Sequence, residues 1–204
     1  MDRGDRGRGN INHGFAERKT MRSEHVVRHR LTVDDYYRMA EVGILKPDAR
    51  VELIEGEIID MAPMGSRHAD VVSELSSRLV AAVGRNARVR CQLPVGLDEY
   101  SEPEPDVVVV KPRRYTSRHP TPDDVLLLIE VSDSSLAFDR SVKLPLYARH
   151  GIPEVWIVDL STDHIYAHRD PHDGSYKHAT LLEVSSSVAI PMLPESILDL
   201  TGLF

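Results

Sequence analysis

The chain has 204 residues, 41% hydrophobic and 28% charged, which fits an ordinary globular protein of one domain with some decoration. No run approaches the ~18 uninterrupted apolar residues of a membrane helix, no apolar leader follows the charged N-terminus, and the lone Cys91 excludes a disulfide framework and a cysteine-built zinc site, so a cytoplasmic protein away from membranes is expected. The net charge of −7 is uneven: residues 1–30 hold eight Arg/Lys against four acids, a net of +4, leaving −11 for the body, which argues against broad phosphate tracking but keeps nucleic acid open as a partner.

Residues 1–30, rich in Gly, Arg and Asn without apolar periodicity, read as a disordered basic tail, and residues 31–204 as one ordered domain. Thr32, followed by Asp34 and Asp35, predicts a capped helix through about Glu41, stopped by Gly43. Val51 to Ile54 and Glu57 to Ile59 flank Glu55-Gly56 and predict a β-hairpin. Ser66 is the expected N-cap of a second helix ending at Gly84, with Val71, Val72, Leu75, Leu79 and Val83 on its buried face. An extended stretch from Ala87 to about Leu97 leads into the Pro-rich run 101–105.

Two short, continuously apolar runs form the centre: Asp106 to Val110 and Val125 to Val131. They read as interior strands covered on both faces. A third helix is expected from about Asp139 to His150, with Gly151 as its stop and Pro145 predicting a kink or a late start. Glu154 to Asp159 is a further strand, Ile165 to His168 its hairpin partner, and after the turn at Asp173-Gly174 one or two more strands are expected. The economical architecture is an α/β (α+β) fold with a mixed sheet and helices packed on it.

Antiparallel pairing of the two central runs sets residues 106–110 against 126–130 and brings Asp106 beside Glu130. Adjacent carboxylates repel, and one pKa rises unless a cation lies between them. Mg²⁺ (or Mn²⁺) suits such a pair, because a hard ion of this kind takes one or two carboxylates and keeps several waters. It would activate water against a phosphodiester. Lys143, on the helix returning after the second strand, is placed to reach the same sheet end. Taken singly, Asp106 is equally a strand-start aspartate and Lys143 a solvated helix lysine. Glu130 inside an apolar strand demands a partner.

Six segments together resemble one family: Glu52 to Glu57, Arg67-His68, Pro105 to Val109, Ile129 to Ser132, Lys143 to Ala148 and Gly151 to Asp159. In this order they are similar to the Uma2 family (DUF820) of the restriction-endonuclease-like superfamily, over roughly residues 31–200. The resemblance implies a PD-(D/E)xK core in a restriction-endonuclease-like mixed β-sheet flanked by helices. Asp106 and Glu130 would be its acidic residues and the metal ligands. Ser132 stands where the superfamily places lysine, and Lys143 matches the displaced lysine of Uma2-like chains. His68 and Glu52 match the remaining polar positions that the family sets near its site. Without the resemblance, His68 is a helix-terminal histidine, and Glu52, Glu55 and Glu57 are the solvated face of a hairpin.

The function expected is Mg-dependent hydrolysis of nucleic acid, DNA before RNA, by Asp106, Glu130 and Lys143 with His68 and Glu52 in support. The alternative is a catalytically inactive binding or regulatory module on the same fold. No Gly-x-Ser-x-Gly elbow and no P-loop occurs. The remaining histidines, among them His164 and His168, read as surface residues, Trp156 as core, and Arg113, Arg114, Arg118, Arg140 and Arg149 equally as flanks of a phosphate path or as scattered solvated arginines. A homodimer is expected, because the strand-rich C-terminal half has edges to cover.

Overall fold

The two apolar runs at the centre are strands β4 (Val107–Val110) and β5 (Val125–Ser132), and every residue of both is buried. They pair antiparallel with Val107 opposite Ile129, in the expected register, until a bulge after Val109 sets Val110 against Val125 instead of Leu126. The computed structural model describes Met1 and residues 27–204; the expected tail therefore falls largely outside the described residues.

Thr32 and Asp35 form a capping box at the start of helix α1 (Val33–Glu41). Strands β1 (Val51–Ile54) and β2 (Glu57–Asp60) form the expected hairpin. Its turn uses Glu55 at φ 51° and Gly56 at φ 83°. A Cβ on Gly56 would lie 2.6 Å from Arg30 Cβ, so this turn requires glycine on both conformational and steric grounds. Helix α2 (Ser66–Val83) buries the five apolar residues expected of it. Its N-cap is Gly65, not Ser66, and Gly65 has no side chain to close the first turn.

The main sheet has the order β3-β4-β5-β6-β7-β8, adding β3 (Arg88–Cys91), β6 (Glu154–Asp159), β7 (His164–His172) and β8 (Ser175–Leu182). All its pairs are antiparallel except β5 with β6. That parallel pair needs a crossover, which the third helical segment supplies. The segment begins at Leu136, earlier than expected: α3 (Leu136–Phe138), a π-helical turn (Asp139–Lys143) and α4 (Leu144–Arg149) follow without a break. Pro145 cannot donate to the carbonyl four residues back, and the wider turn immediately before it absorbs that loss, since Leu144 N–H donates to Asp139 O. After Asp173-Gly174 there are three strands rather than one or two: β8, and a separate pair formed by β9 (Ser187–Ile190) and β10 (Leu193–Asp199). In β9 and β10 only Ile190 and Leu198 are buried apolar residues, too weak a pattern to read in advance.

The sheet separates two cores. Val107, Val109, Ile129, Trp156 and Ala167 face α2 and the β9–β10 pair. Val108, Val110, Leu128, Val155 and Ile157 face Leu146 and Tyr147 of α4. Residue parity along the strands continues the second face to Asp106 and Glu130, and so assigns both carboxylates to the α4 side.

Candidate active site at the end of the central strands

Asp106 immediately precedes β4, and Glu130 lies near the end of β5, with only Val131 and Ser132 after it. Register sets the two side by side: the Asp106 N–H points at Glu130 Oε2 at 3.4 Å. The Asp106 carboxylate is fixed by the Val131 N–H, which donates to Oδ2 at 2.9 Å. His68, at the start of α2, brings Nε2 to 3.2 Å from the same oxygen. Oδ1 has only the long contact with Gln92 Nε2, at 3.5 Å.

Lys143 reaches the same point from the π-helical turn. Its Nζ lies 3.2 Å from Glu130 Oε1 and 3.0 Å from Glu52 Oε2, and all three residues are buried. Tyr147 OH donates to Glu130 Oε1 at 2.5 Å. Glu52 also accepts from the Glu104 N–H at 3.1 Å. All five residues singled out in the sequence, Asp106, Glu130, Lys143, His68 and Glu52, line one cleft of about 520 Å³. The hairpin reading of Glu52 needs correction: Glu55 and Glu57 are exposed, but every residue of β1 is buried. The hairpin lies on the domain with its first strand inward, and Glu52 is satisfied there by Lys143.

Ser132 does not face an empty slot. Its hydroxyl donates to Asp139 Oδ2 at 2.8 Å, and Ser135 donates to the same oxygen at 2.6 Å. The polar space beyond Glu130 on this strand is therefore filled by a serine–aspartate pair, and the amine arrives from the helix. Sequence reasoning missed Asp139, Tyr147, Glu104 and Gln92. Tyr147 sits one helical turn after Lys143, and this was the one signal available for it. Gln92 carried none: it adopts φ 49°, unusual outside glycine, and its N–H donates to Asp106 O at 3.1 Å.

Electrostatics follow from this crowding. Burial, reinforced by Asp139, Asp106 and Glu52, pushes the Glu130 carboxyl up to about 8, with Lys143 pulling the other way. Burial alone would depress the Lys143 amine. Glu130, Glu52 and Asp139 outweigh it and keep the ammonium charged. Burial, then Glu52 and Glu102, raises Glu104. The hydrogen bond to Asp106 raises His68 against the opposing effect of burial. Seven acids line the cleft against Arg50, Lys143 and His68, so its field favours cations.

Trp156 is fully buried core, as expected. His164 Nδ1 and His168 Nε2 are buried, so these two histidines are not simply surface residues. Of the five arginines considered for a phosphate path, Arg113 and Arg118 pair with Asp124, Arg140 with Asp159 and Arg149 with Glu55. Four of the five are thus already engaged with acids of the chain itself.

The profile of the Uma2 family, described as "Putative restriction endonuclease", matches residues 33–201. The chain belongs to the Uma2 family. A solved structure of "a putative nuclease belonging to DUF820" from Anabaena variabilis superposes with a TM-score of 0.65. It is 19% identical, and the match covers 85% of this chain and 97% of that one. At that identity the likeness establishes a shared fold, and the Uma2 domain here has the fold of that structure. No curated protein matches the chain. No helix among the described residues is long and apolar enough to cross a membrane.

Proposed function

We propose that this Uma2 protein is a divalent-metal-dependent nuclease that hydrolyses phosphodiester bonds of DNA, with Asp106 and Glu130 as the ligands of Mg²⁺ or Mn²⁺. The observation that carries the proposal is the meeting of two carboxylates and a buried ammonium at one sheet end, inside an acidic cleft. The donor set fits a hard ion. Asp106 Oδ1 and Glu130 Oε2 have only hydrogen bonds of 3.5 and 3.4 Å, so each has lone pairs to spare. Among the described residues no three His, Cys, Asp or Glu side chains form a metal cage. A two-carboxylate site completed by water matches Mg²⁺ better than it would zinc.

When bound, the ion supplies Lewis acidity toward the phosphate and a more acidic water. The chain's own groups do the rest. The Lys143 ammonium orients the attacking water or neutralises a non-bridging phosphate oxygen, while Glu52 holds it in place. His68 and the Val131 N–H fix the Asp106 carboxylate, and Tyr147 fixes that of Glu130. In the reaction a bond forms between water oxygen and phosphorus, and one ester P–O bond breaks. We propose a symmetric homodimer as the working assembly.

Titration of Mn²⁺ and Mg²⁺ into the protein by calorimetry, together with a DNA cleavage assay, tests this reading. Binding and cleavage in the wild type, both lost in Asp106→Asn and Glu130→Gln, are expected. Cleavage that survives both substitutions would overturn the site. DNA binding without metal uptake or cleavage would favour the non-catalytic module.

A further inference from the structure

A second groove, of about 420 Å³, runs along the free edge of the main sheet. It is lined by Arg88 and Arg90 of β3, by Leu93 and Tyr115, and by Val80 and Val83 of α2, with no acidic residue among its walls. This is unusual on a body, residues 31–204, whose net charge is −11. Arg88 and Arg90 make no ion pair among the described residues, and Arg90 Nε is buried without a hydrogen-bond partner. Through that nitrogen the guanidinium is not committed to an acceptor of the chain itself.

The register of β3 gives the groove its direction. Arg88 pairs with Val110 and Arg90 with Val108, whereas Val89 packs into the core on the α2 side. The two arginines therefore project on the face that carries Asp106 and Glu130, about 7 Å apart at two strand positions. The next residue of that parity is Gln92, which touches Asp106. One sheet edge thus leads from the groove into the cleft. Tyr115 stands beside it, with the Arg90 guanidinium 5.7 Å and that of Arg113 5.6 Å from its ring. Its hydroxyl donates to Lys111 O, so the ring is held in place.

We infer that this edge groove is the approach track for a nucleic-acid backbone. Arg88 and Arg90 take successive phosphates, and Tyr115 and Leu93 take the apolar face of a sugar or base. The chemistry is that of a nucleic-acid strand: guanidinium groups spaced along a line for phosphate oxygens, and an aromatic ring for a base. The inference deepens the nuclease reading and rests on it for the identity of the ligand, though not on catalysis. It also explains how an acidic protein can hold a polyanion: the cation needed at the cleft is supplied by metal, and the track outside is locally basic.

The test is fluorescence anisotropy with labelled DNA, single-stranded and duplex, in the presence of a chelator and over a range of salt. The proteins compared are the wild type, Arg88→Gln/Arg90→Gln, the exposed single variant Arg88→Glu, and Lys46→Gln/Lys177→Gln as a charge-matched control. The double variant should bind about tenfold more weakly at low salt and lose close to two from the slope of log K against log salt. Arg88→Glu should weaken binding in the same direction, and the lysine control should leave it near wild type. Loss of affinity in the arginine variants supports the track even if no cleavage is ever seen, which separates it from the catalytic proposal. Equal loss in the lysine control, wild-type binding by both arginine variants, or no DNA binding by the wild type would each overturn it.

Discussion

Lys143 Nζ lies 3.0 Å from Glu52 Oε2, joining the crossover segment after β5 to a hairpin far earlier in the chain. The hairpin itself is a two-stranded sheet apart from the main one. A single ammonium therefore sits between carboxyl groups from two sheets, Glu52 from the hairpin and Glu130 from β5. Removing one partner of a buried ionic group leaves the others uncompensated, and such losses run to about 3–5 kcal/mol.

Lys143→Met should accordingly lower the stability of the metal-free protein by about 3–5 kcal/mol, read as a fall in the urea midpoint. Mg²⁺ or Mn²⁺ should restore part of it, since an ion at the carboxylates replaces the lost charge. A loss below about 1 kcal/mol would mean that the cluster is solvated and the burial argument wrong.

Stability should also depend on pH through Glu130. Its carboxyl is held up at about 8 in the folded protein against an ordinary 4.5. Between these values the native state binds more protons than the unfolded chain, so this group makes stability fall as pH rises from about 4.5 to about 8. The change should be a few kcal/mol, on the order of 1.4 kcal/mol for each pH unit crossed. Glu130→Gln should flatten this dependence in urea denaturations at a series of pH values. An unchanged slope would locate the titration elsewhere.

Metal affinity should show the same group from the other side. An ion on Glu130 must displace its proton, so the apparent affinity for Mn²⁺ should climb by up to about tenfold per pH unit toward 8 and level off above it. Calorimetry in buffers of different ionisation heat counts the protons released. Zero release at pH 7 would contradict a protonated Glu130.

His68 offers an independent probe. Its hydrogen bond to Asp106 raises its pKa above 6.5. The stability it contributes is thus fully present below pH 6.5 and disappears as pH rises through the folded value. His68→Ala should cost about 1 kcal/mol in the acid range and less above it. Histidine proton resonances followed through a titration should show His68 above 6.5, moving down when Mg²⁺ engages Asp106. A downward-shifted His68 in the metal-free protein would remove the contact.

The proposed homodimer is checked by sedimentation equilibrium. A species near twice 22.9 kDa is expected. β8 closes one side of the sheet without a further strand, and Leu181, Met192 and Ile197 are exposed large apolar residues of the C-terminal half. Charged substitutions at Leu181 and Ile197 should shift the mass toward the monomer. A monomer throughout the concentration range rules the dimer out.

Much of the centre of the molecule was legible before its structure. Val107 to Val110 and Val125 to Val131 are too short and too uniformly apolar for anything but buried strands, and equal spacing from 106 to 110 and from 126 to 130 places Asp106 beside Glu130. The five apolar positions of α2 follow from helical period alone. Helix ends were less legible: Ser66 looks like a cap, yet the chain turns one residue earlier at Gly65, which has no side chain to cap the first turn. The π-helical turn that carries Lys143 was likewise signalled only as a disturbance at Pro145.

By itself the sequence determined the two central strands and the pairing of Asp106 with Glu130, since these depend on local periodicity and on how two neighbouring apolar runs align. Only the tertiary structure decided that Glu52 is buried against Lys143, that His68 holds Asp106, and that Asp139 occupies the Ser132 slot. Those contacts join different elements of the fold, and the register of one element says nothing of which other element will be packed against it. The physical reason is the same in each case. Periodicity tells a side chain which way to face, but the partner it meets is chosen by how the separate layers close over a common core.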